Sequence, residues 1–247
     1  MTDPRTDTGT DTGTGTTSEG GVPGTTAVPV ADLAVPSPPA DPLTPGRAWE
    51  RMKAGNERFV TGAPQHPHQD SDRRALLAGG QEPVAALFGC ADSRLAAEII
   101  FDVGLGDLFV VRNAGQVVGD TVIASLEYAV SVLGVPLIVV LGHDSCGAVA
   151  TAIDSLTSDA PPGSRFLGDL VDMIVPSVRR ATIALEPGAV LDPRAVGALH
   201  IQASVEALVG RSALISAAVA EGRLTVVGAN YALADGRVDP SIIIGRL

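Results

Sequence analysis

Four short apolar runs, separated by segments with helical periodicity, constrain the fold of this chain more than any other feature. The runs are VAALFG (84–89), DLFVVR (107–112), PLIVVLG (136–142) and LTVVGA (224–229). Each has the length of a strand, and its continuous apolar character indicates burial on both faces, which is typical of parallel sheets. We therefore predict an α/β fold with a mostly parallel central β-sheet flanked by helices.

The segments around these runs predict the helices that cover the sheet. The helical patterns are AWERMKAGNERFV (48–60), 121–134, 146–156 and two longer patterns within 165–221 that are broken around EPGAVLDP (186–193). Gly55 and Asn56 weaken the first pattern without excluding a helix. Strands that alternate with helices imply right-handed crossovers. The Asp235-Gly236 turn signal predicts one further strand near the end of the chain.

Residues 1–44 differ in composition from the rest of the chain. They are rich in Thr, Gly, Asp and Pro, and they contain the local repeat TDTGTDTGTGTT. Such a segment buries too little apolar surface to offset its loss of conformational entropy, so we predict a disordered low-complexity tail. Residues 45–247 are long enough for one domain with a substantial core, and we expect that domain to carry the chemistry.

Charge and hydropathy exclude several classes of partner. The formal net charge is −11, and −6 remains when the acidic tail is left out. No cluster of Lys and Arg is available to bind phosphates, so we expect no nucleic-acid partner and no binding to an anionic membrane surface. The chain has no run of about 18 apolar residues, and its first residues do not resemble a signal peptide. We therefore expect a cytoplasmic protein.

Two of the predicted strands run into residues that are able to bind a metal ion. The first strand is followed by CADSR (90–94), and the third is followed by HDSC (143–146). In parallel sheets, ligands bind beyond the carboxyl ends of the strands. Zinc prefers thiolate, imidazole and carboxylate ligands in a tetrahedral arrangement. We therefore predict a zinc site formed by Cys90, His143 and Cys146, with Asp92 or water in the fourth position.

The two cysteines have other interpretations, namely buried thiols or a disulfide. A disulfide is disfavoured in a cytoplasmic protein. A metal role is favoured because Cys146 would open a helix, where the positive end of the helix dipole stabilises a thiolate. His66 and His68 lie in a loop beside two prolines, and we expect them to be an exposed pair rather than metal ligands. We expect His200, in a helical segment, to be structural or exposed.

The motifs around these residues resemble the β class of carbonic anhydrases, and bacterial members in particular. The matching motifs are Cys-x-Asp-x-Arg at 90–94 and His-x-x-Cys-Gly at 143–147. Further matches are GNERF (55–59), QEP (81–83), GDLFVVRNAG (106–115) and EYAV (127–130). The resemblance covers roughly residues 47–235. Gln116 departs from the family, which often has Asn at this position.

The resemblance implies an enzyme with one Zn²⁺ per chain that interconverts carbon dioxide and bicarbonate by attack of zinc-bound hydroxide on CO2. It also implies that Arg94 holds Asp92 away from the metal, so that the carboxylate accepts a hydrogen bond from the zinc-bound water or hydroxide. A released Asp92 would occupy the fourth zinc position and block catalysis. Asp144 and Ser145 lie close enough in sequence to act around the ligands.

The resemblance further implies a substrate pocket and an oligomer. Gln81 would hydrogen-bond bicarbonate, and Phe109 and Tyr128 would shape an apolar wall. In the family, part of this wall comes from a neighbouring subunit, so we expect a homo-oligomer, either a dimer or a tetramer. A second, non-catalytic bicarbonate site stays open, because no Trp of this chain is matched to it.

Three alternative functions share these residues. The first is hydrolysis of carbon disulfide on the same fold and metal, which would require an altered access route. The second is a non-enzymatic redox or zinc-sensing module that uses Cys90 and Cys146 as a thiol switch. The third is a structural zinc site, although such a site usually closes with four protein ligands and only three firm ligands are present here.

Overall fold

The computed structural model describes residues 43–156, 163–183, 185–186 and 189–247. Most of the predicted tail, residues 1–42, and part of the predicted break at 186–193 therefore lie outside the described residues. Leu43 and Thr44, which the composition assigns to the tail, belong to the folded part. Leu43 packs against the core, and the Thr44 side chain accepts a hydrogen bond from the backbone of Arg47 as the cap of the first helix.

A five-stranded sheet forms the centre of the fold, in the order β2-β1-β3-β4-β5. The strands are β1 (Ala85–Cys90), β2 (Leu108–Asn113), β3 (Leu137–His143), β4 (Thr225–Tyr231) and β5 (Val238–Ile244). The first four are parallel, and β5 runs antiparallel to β4. The predicted α/β fold with a mostly parallel sheet is confirmed, and the strand expected after Asp235-Gly236 is β5.

The helices connect the strands and cover both faces of the sheet. They are α1 (Pro45–Val60), α2 (Ser71–Leu76), α3 (Ala97–Ile100), α4 (Asp120–Ser131), α5 (Gly147–Asp154), α6 (Arg165–Asp172), α7 (Val175–Ile183), α8 (Pro193–Arg211) and α9 (Ala213–Ala220). Two 3₁₀ turns span Leu77–Gly79 and Ala114–Gln116. In the described part of the chain, no single helix is long and apolar enough to cross a membrane; α8 and α9 pass that test only as a pair bent by 95°.

The described residues between 165 and 221 form four helices where the sequence predicts two. A turn at 173–174 separates α6 from α7, and its backbone bonds span three residues instead of four. Ser212 separates α8 from α9 because its backbone is extended and its hydroxyl caps α9 by accepting from Ile215 N at 3.0 Å. The same hydroxyl donates to Glu127 at 2.6 Å, so a partner in α4 stabilises the break.

Two apolar clusters fill the space between the sheet and the helices. Leu87 and Val139 belong to the first cluster, while their neighbours Phe88 and Val140 belong to the second. Alternate residues of the central strands therefore point to opposite faces, and both faces are covered. Every residue of β1 and β3 is buried, as expected of central strands in a parallel sheet.

Helix α1 is fastened to the rest of the domain by Gly55 and Asn56. A Cβ atom at position 55 would overlap the carbonyl oxygen of Phe101, so the close approach of α1 requires glycine. The buried Asn56 amide donates to Ile100 O at 3.1 Å and to Gly236 O at 2.8 Å, and its oxygen accepts from Val238 N at 2.9 Å. One side chain thus joins α1 to α3 and to the turn before β5.

The substitution Asn56→Ala should lower the free energy of unfolding by about 2–4 kcal/mol, because it leaves three buried backbone groups without partners. Guanidinium unfolding followed by circular dichroism measures this loss. The neighbouring exposed variant Glu57→Ala is the control and should change the stability by less than about 0.5 kcal/mol. Equal stabilities for the two variants would contradict the role of Asn56.

Candidate metal centre

The carboxyl ends of β1 and β3 bring Cys90, His143 and Cys146 together. These strands are neighbours in the sheet, and one ligand atom from each of the three side chains lies within 4.8 Å of the other two. All three residues are buried. Cys146 reaches the cluster through a tight turn in which Ser145 has a positive φ of 53°, and Cys146 stands at the N-cap position directly before α5. The sequence prediction of this cluster agrees with the geometry.

The ring of His143 is oriented for metal binding. Its Nδ1 lies 2.8 Å from the carbonyl oxygen of Asp144, which only accepts hydrogen bonds, so Nδ1 carries the proton. The other nitrogen, Nε2, is buried, and no atom in the described part of the chain hydrogen-bonds to it. A buried imidazole lone pair beside two thiols is the donor set that zinc prefers, so the residues fit this ion.

Asp144, which supplies this carbonyl, is itself held by the loop after β4. Its carboxylate accepts a hydrogen bond from Leu233 N at 2.9 Å, and its own N–H donates to Tyr231 O at 3.3 Å. The expectation that Asp144 acts around the ligands therefore has a physical basis. Its backbone orients His143, and its side chain ties the turn to β4.

The two cysteines are free and close enough to influence each other's ionisation. A hydrogen bond from the Cys146 thiol lowers the pKa of Cys90 to about 4. The Cys90 thiolate and burial raise the pKa of Cys146, because a second thiolate would face a like charge. A divalent cation between the two sulfurs removes that repulsion and favours both thiolates.

Asp92 and Arg94 form a paired contact at the edge of the cluster. Arg94 donates from Nε to Asp92 Oδ1 at 2.8 Å and from Nη2 to Asp92 Oδ2 at 2.7 Å. These bonds hold the pKa of Asp92 well below its usual range. The same carboxylate lies 3.9 Å from Nε2 of His143, so it is next to the position a metal would occupy. Arg94 also donates to Ser145 O at 3.2 Å, which links the pair to the turn after β3.

Arg112 is a residue of this site that the sequence analysis missed. It donates to the carbonyl oxygen of Cys90 at 3.0 Å and to that of Asp92 at 2.7 Å, so it fixes the backbone that carries both residues. The available signal was its position at the end of the second apolar run. In the parallel register Arg112 pairs with Gly89, directly before Cys90.

The aromatic residues predicted for the substrate pocket lie apart from the metal ligands in the structure. Phe109 contacts Tyr128 with ring centroids 6.1 Å apart, and Phe109 packs against the second apolar cluster, whereas Cys90 and Cys146 belong to the first. Gln81 is exposed in the segment before β1. Within one chain, Phe109 and Tyr128 are therefore not gathered around the metal ligands.

The remaining histidines do not join the cluster. Among the described residues, only Cys90, His143 and Cys146 form a buried group of potential metal ligands. His68 pairs with the buried carboxylate of Asp107, with Nδ1 at 2.8 Å from Oδ2, in agreement with a non-ligand role. His200 is structural rather than exposed, because it is buried and contacts the carbonyl oxygen of Gly115.

Comparison with known proteins decides the family. The carbonic anhydrase family model matches residues 85–238, which include every ligand described above. The chain belongs to the carbonic anhydrase family. Carbonic anhydrase 2 of Mycobacterium tuberculosis is 52% identical over 196 residues, which cover 78% of this chain and 91% of the relative. The carbonic anhydrase of Mycolicibacterium smegmatis is 48% identical over 198 residues, or 79% and 92% of the two chains.

Solved structures of carbonic anhydrases share the fold. The Coccomyxa β-carbonic anhydrase, solved in complex with acetazolamide, superposes with a TM-score of 0.61 at 26% identity and covers 81% of this chain and 85% of its own. A tetrameric β-carbonic anhydrase of Sordaria macrospora gives a TM-score of 0.60 at 28% identity, with 78% and 95% covered. The resemblance to β-class bacterial carbonic anhydrases is confirmed.

Metal analysis of the purified chain should find about one zinc per chain, and His143→Ala should lose most of it because only two firm ligands remain. His68→Ala is the matched control, since His68 bonds to Asp107 instead of the cluster, and it should keep its zinc. Inductively coupled plasma mass spectrometry gives the ratio. Full zinc content in His143→Ala, or its loss in His68→Ala, would show that the metal lies elsewhere.

Proposed function

We propose that this carbonic anhydrase catalyses the reversible hydration of carbon dioxide to bicarbonate and a proton, with one Zn²⁺ per chain. The observation that carries the proposal is the buried cluster of Cys90, His143 and Cys146, whose imidazole Nε2 has no hydrogen-bond partner among the described residues. Three protein ligands leave one position open for water, as in catalytic zinc sites and unlike structural ones. This count speaks against a purely structural zinc.

The proposed mechanism divides the work between the metal and the chain. Cys90, His143 and Cys146 would hold the zinc ion, which would lower the pKa of a water molecule and so make a hydroxide nucleophile available for CO2. Asp92, which lies 3.9 Å from His143 Nε2, would accept a hydrogen bond from such a water molecule and so orient it toward the substrate. Arg94 engages both carboxylate oxygens and so keeps Asp92 ionised and off the metal. Arg112 keeps the backbone of Cys90 and Asp92 in place.

We further propose that the substrate pocket is completed by a second copy of the chain. Support comes from the separation of Phe109 and Tyr128 from the cysteine ligands, which belong to the other apolar cluster. In a dimer or tetramer, these rings would form an apolar wall beside the partner's metal, and Gln81 would hydrogen-bond bicarbonate. The Sordaria macrospora relative is described as tetrameric, which agrees with this assembly.

The site and the family match both fall within the proposed domain, residues 45–247, and we assign the activity to it. We propose a cytoplasmic location, with carbon dioxide and bicarbonate as ligands and without a nucleic-acid or membrane partner. The low count of basic residues, 17 Lys and Arg against 28 Asp and Glu, supports this choice of partners.

Hydration should become faster as the pH rises from 6 to 9. Two thiolates and a neutral imidazole cancel the charge of Zn²⁺, so the metal is a weak Lewis acid and its water ionises at higher pH than in an all-histidine site. Protonation of Asp92 does not cause this rise in rate. The hydrogen bonds from Arg94 lower the pKa of Asp92, so its carboxylate stays ionised throughout the range from pH 6 to 9. Stopped-flow hydration with a pH indicator measures the profile.

Two controls accompany that profile. Removal of the metal with a chelator should abolish hydration at each pH, and added zinc should restore it. A flat profile between pH 6 and 9 would contradict the proposed ligand set. A protein with full zinc and no hydration even at high pH would contradict the proposed reaction.

Arg94→Ala should reduce the hydration rate by about 10–100-fold without loss of zinc, because the released Asp92 would occupy the fourth metal position. The double variant Asp92→Ala/Arg94→Ala separates this block from a loss of structure. If the released carboxylate is the inhibitor, the double variant should be faster than Arg94→Ala alone. Full activity in Arg94→Ala would rule out the need for the pair.

A further inference from the structure

The loop between β2 and α4 supplies a hydrogen bond to one of the thiol ligands. The backbone N–H of Gly115 donates to Cys90 Sγ at 3.3 Å. This donor depends on an unusual backbone conformation, since Gly115 has φ 71° and Gln116 has φ 40°. A left-handed conformation is unfavourable for glutamine, so the surrounding structure must hold the loop in place.

Helix α8 provides that support through side chains one turn apart. His200 Nε2 lies 2.7 Å from the carbonyl oxygen of Gly115, and Ser204 Oγ lies 3.3 Å from that of Gln116. Both side chains are buried. A carbonyl oxygen only accepts, so the His200 proton resides on Nε2, and Nδ1 is left without a partner among the described atoms. Burial lowers the pKa of His200, in keeping with a neutral ring.

Packing prevents the loop from finding another arrangement. A Cβ atom at position 115 would lie 2.8 Å from the Ala148 side chain and 2.9 Å from that of Ile174. Gly115 is therefore enclosed on one side by the start of α5 and the turn after α6. It is fixed at both polar ends, by Cys90 at its nitrogen and by His200 at its oxygen.

We propose that His200 is a positioning residue for the Cys90 thiolate: by holding the Gly115 carbonyl, it aims the Gly115 N–H at the sulfur. This inference rests on the proposed zinc function. A hydrogen bond to a metal-bound thiolate withdraws charge from the sulfur, so it tunes how strongly the sulfur donates to the metal. His200 would thus adjust the metal without touching it, through Gly115, which lies 85 residues away in the sequence.

The test uses the full-length protein with Co²⁺ in place of zinc, because thiolate-to-cobalt absorption reports on the sulfur directly. His200→Phe keeps the ring volume but removes the N–H donor, whereas His200→Gln keeps a donor at similar reach. Ser204→Ala is the matched control, since it contacts the same loop from the same helix but does not bond to Gly115. Melting temperatures and chelator competition for zinc are measured on each variant.

In His200→Phe we expect the thiolate-to-cobalt band to move to longer wavelength, because the sulfur keeps more charge. We expect zinc affinity to fall by about 10–100-fold, because the loop no longer holds the sulfur in place. His200→Gln should recover both values toward those of the unchanged chain, and Ser204→Ala, which keeps the contact with Gly115, should move the band less than His200→Phe does. A folded His200→Phe with an unchanged band and unchanged zinc affinity would overturn the inference. If His200→Phe does not fold, His200→Met takes its place, and its cobalt band and zinc affinity are compared with those of His200→Gln. A folded His200→Met with the same values as His200→Gln would overturn the inference.

The outcome for the unchanged chain is read separately. A thiolate-to-cobalt band in that protein supports the ligand set on which the inference depends. Absence of such a band would count against the proposed metal function itself, before any variant is considered.

Discussion

The parallel pairing of β1 with β3 is the constraint on which the rest of the site depends. Ala86 pairs with Ile138 and Gly89 with Leu141, so Cys90 leaves β1 at the level where β3 ends in His143. Burial of apolar side chains on both faces of these central strands fixes the register, since a slip by one residue would turn every side chain to the other face. The metal ligands therefore inherit their spacing from the hydrophobic core.

Orientation of the ligands comes from other parts of the chain. The carbonyl of Asp144 fixes the His143 tautomer, the Gly115 loop donates to Cys90, and Arg112 holds the backbone below it. Most of these contacts involve backbone atoms of turns that the sheet and helices hold rigidly. Such a site has little freedom to rearrange when a metal binds, which lowers the entropy cost of assembling the ligands.

The sequence alone predicted the fold class and the ligand cluster, because both depend on short local patterns of residues. Apolar runs mark the strands, and the ligands follow two of them directly. Arg112 and the function of His200 were not predictable, because their partners lie 20 to 85 residues away and depend on side-chain direction. Gly55 shows the same limit: its helix penalty was visible, but the contact with Phe101 that requires glycine was not.

The extra breaks between α6 and α9 have a similar cause. The break at Ser212 exists because its hydroxyl caps α9 and also donates to Glu127 on α4, a contact that the apolar periodicity does not identify. Helical periodicity reports which face is buried, but it does not report where tertiary hydrogen bonds interrupt the backbone.

The metal ligands and the aromatic pair Phe109 and Tyr128 lie in different parts of the domain, and this separation bears on how an apolar substrate is enclosed. The group of three ligand residues is open toward Asp92 and Arg94, whose side chains are 18% and 50% exposed. Polar groups and solvent therefore border the site on this side. Phe109 lies on β2, at one edge of the sheet, and Tyr128 beside it is 39% exposed. The aromatic pair, Phe109 on the edge strand β2 and Tyr128 on α4, is only partly covered, and the metal site is open on its polar side. Contact between two copies would bury the first and enclose the second, which is why we tie catalysis to the oligomer.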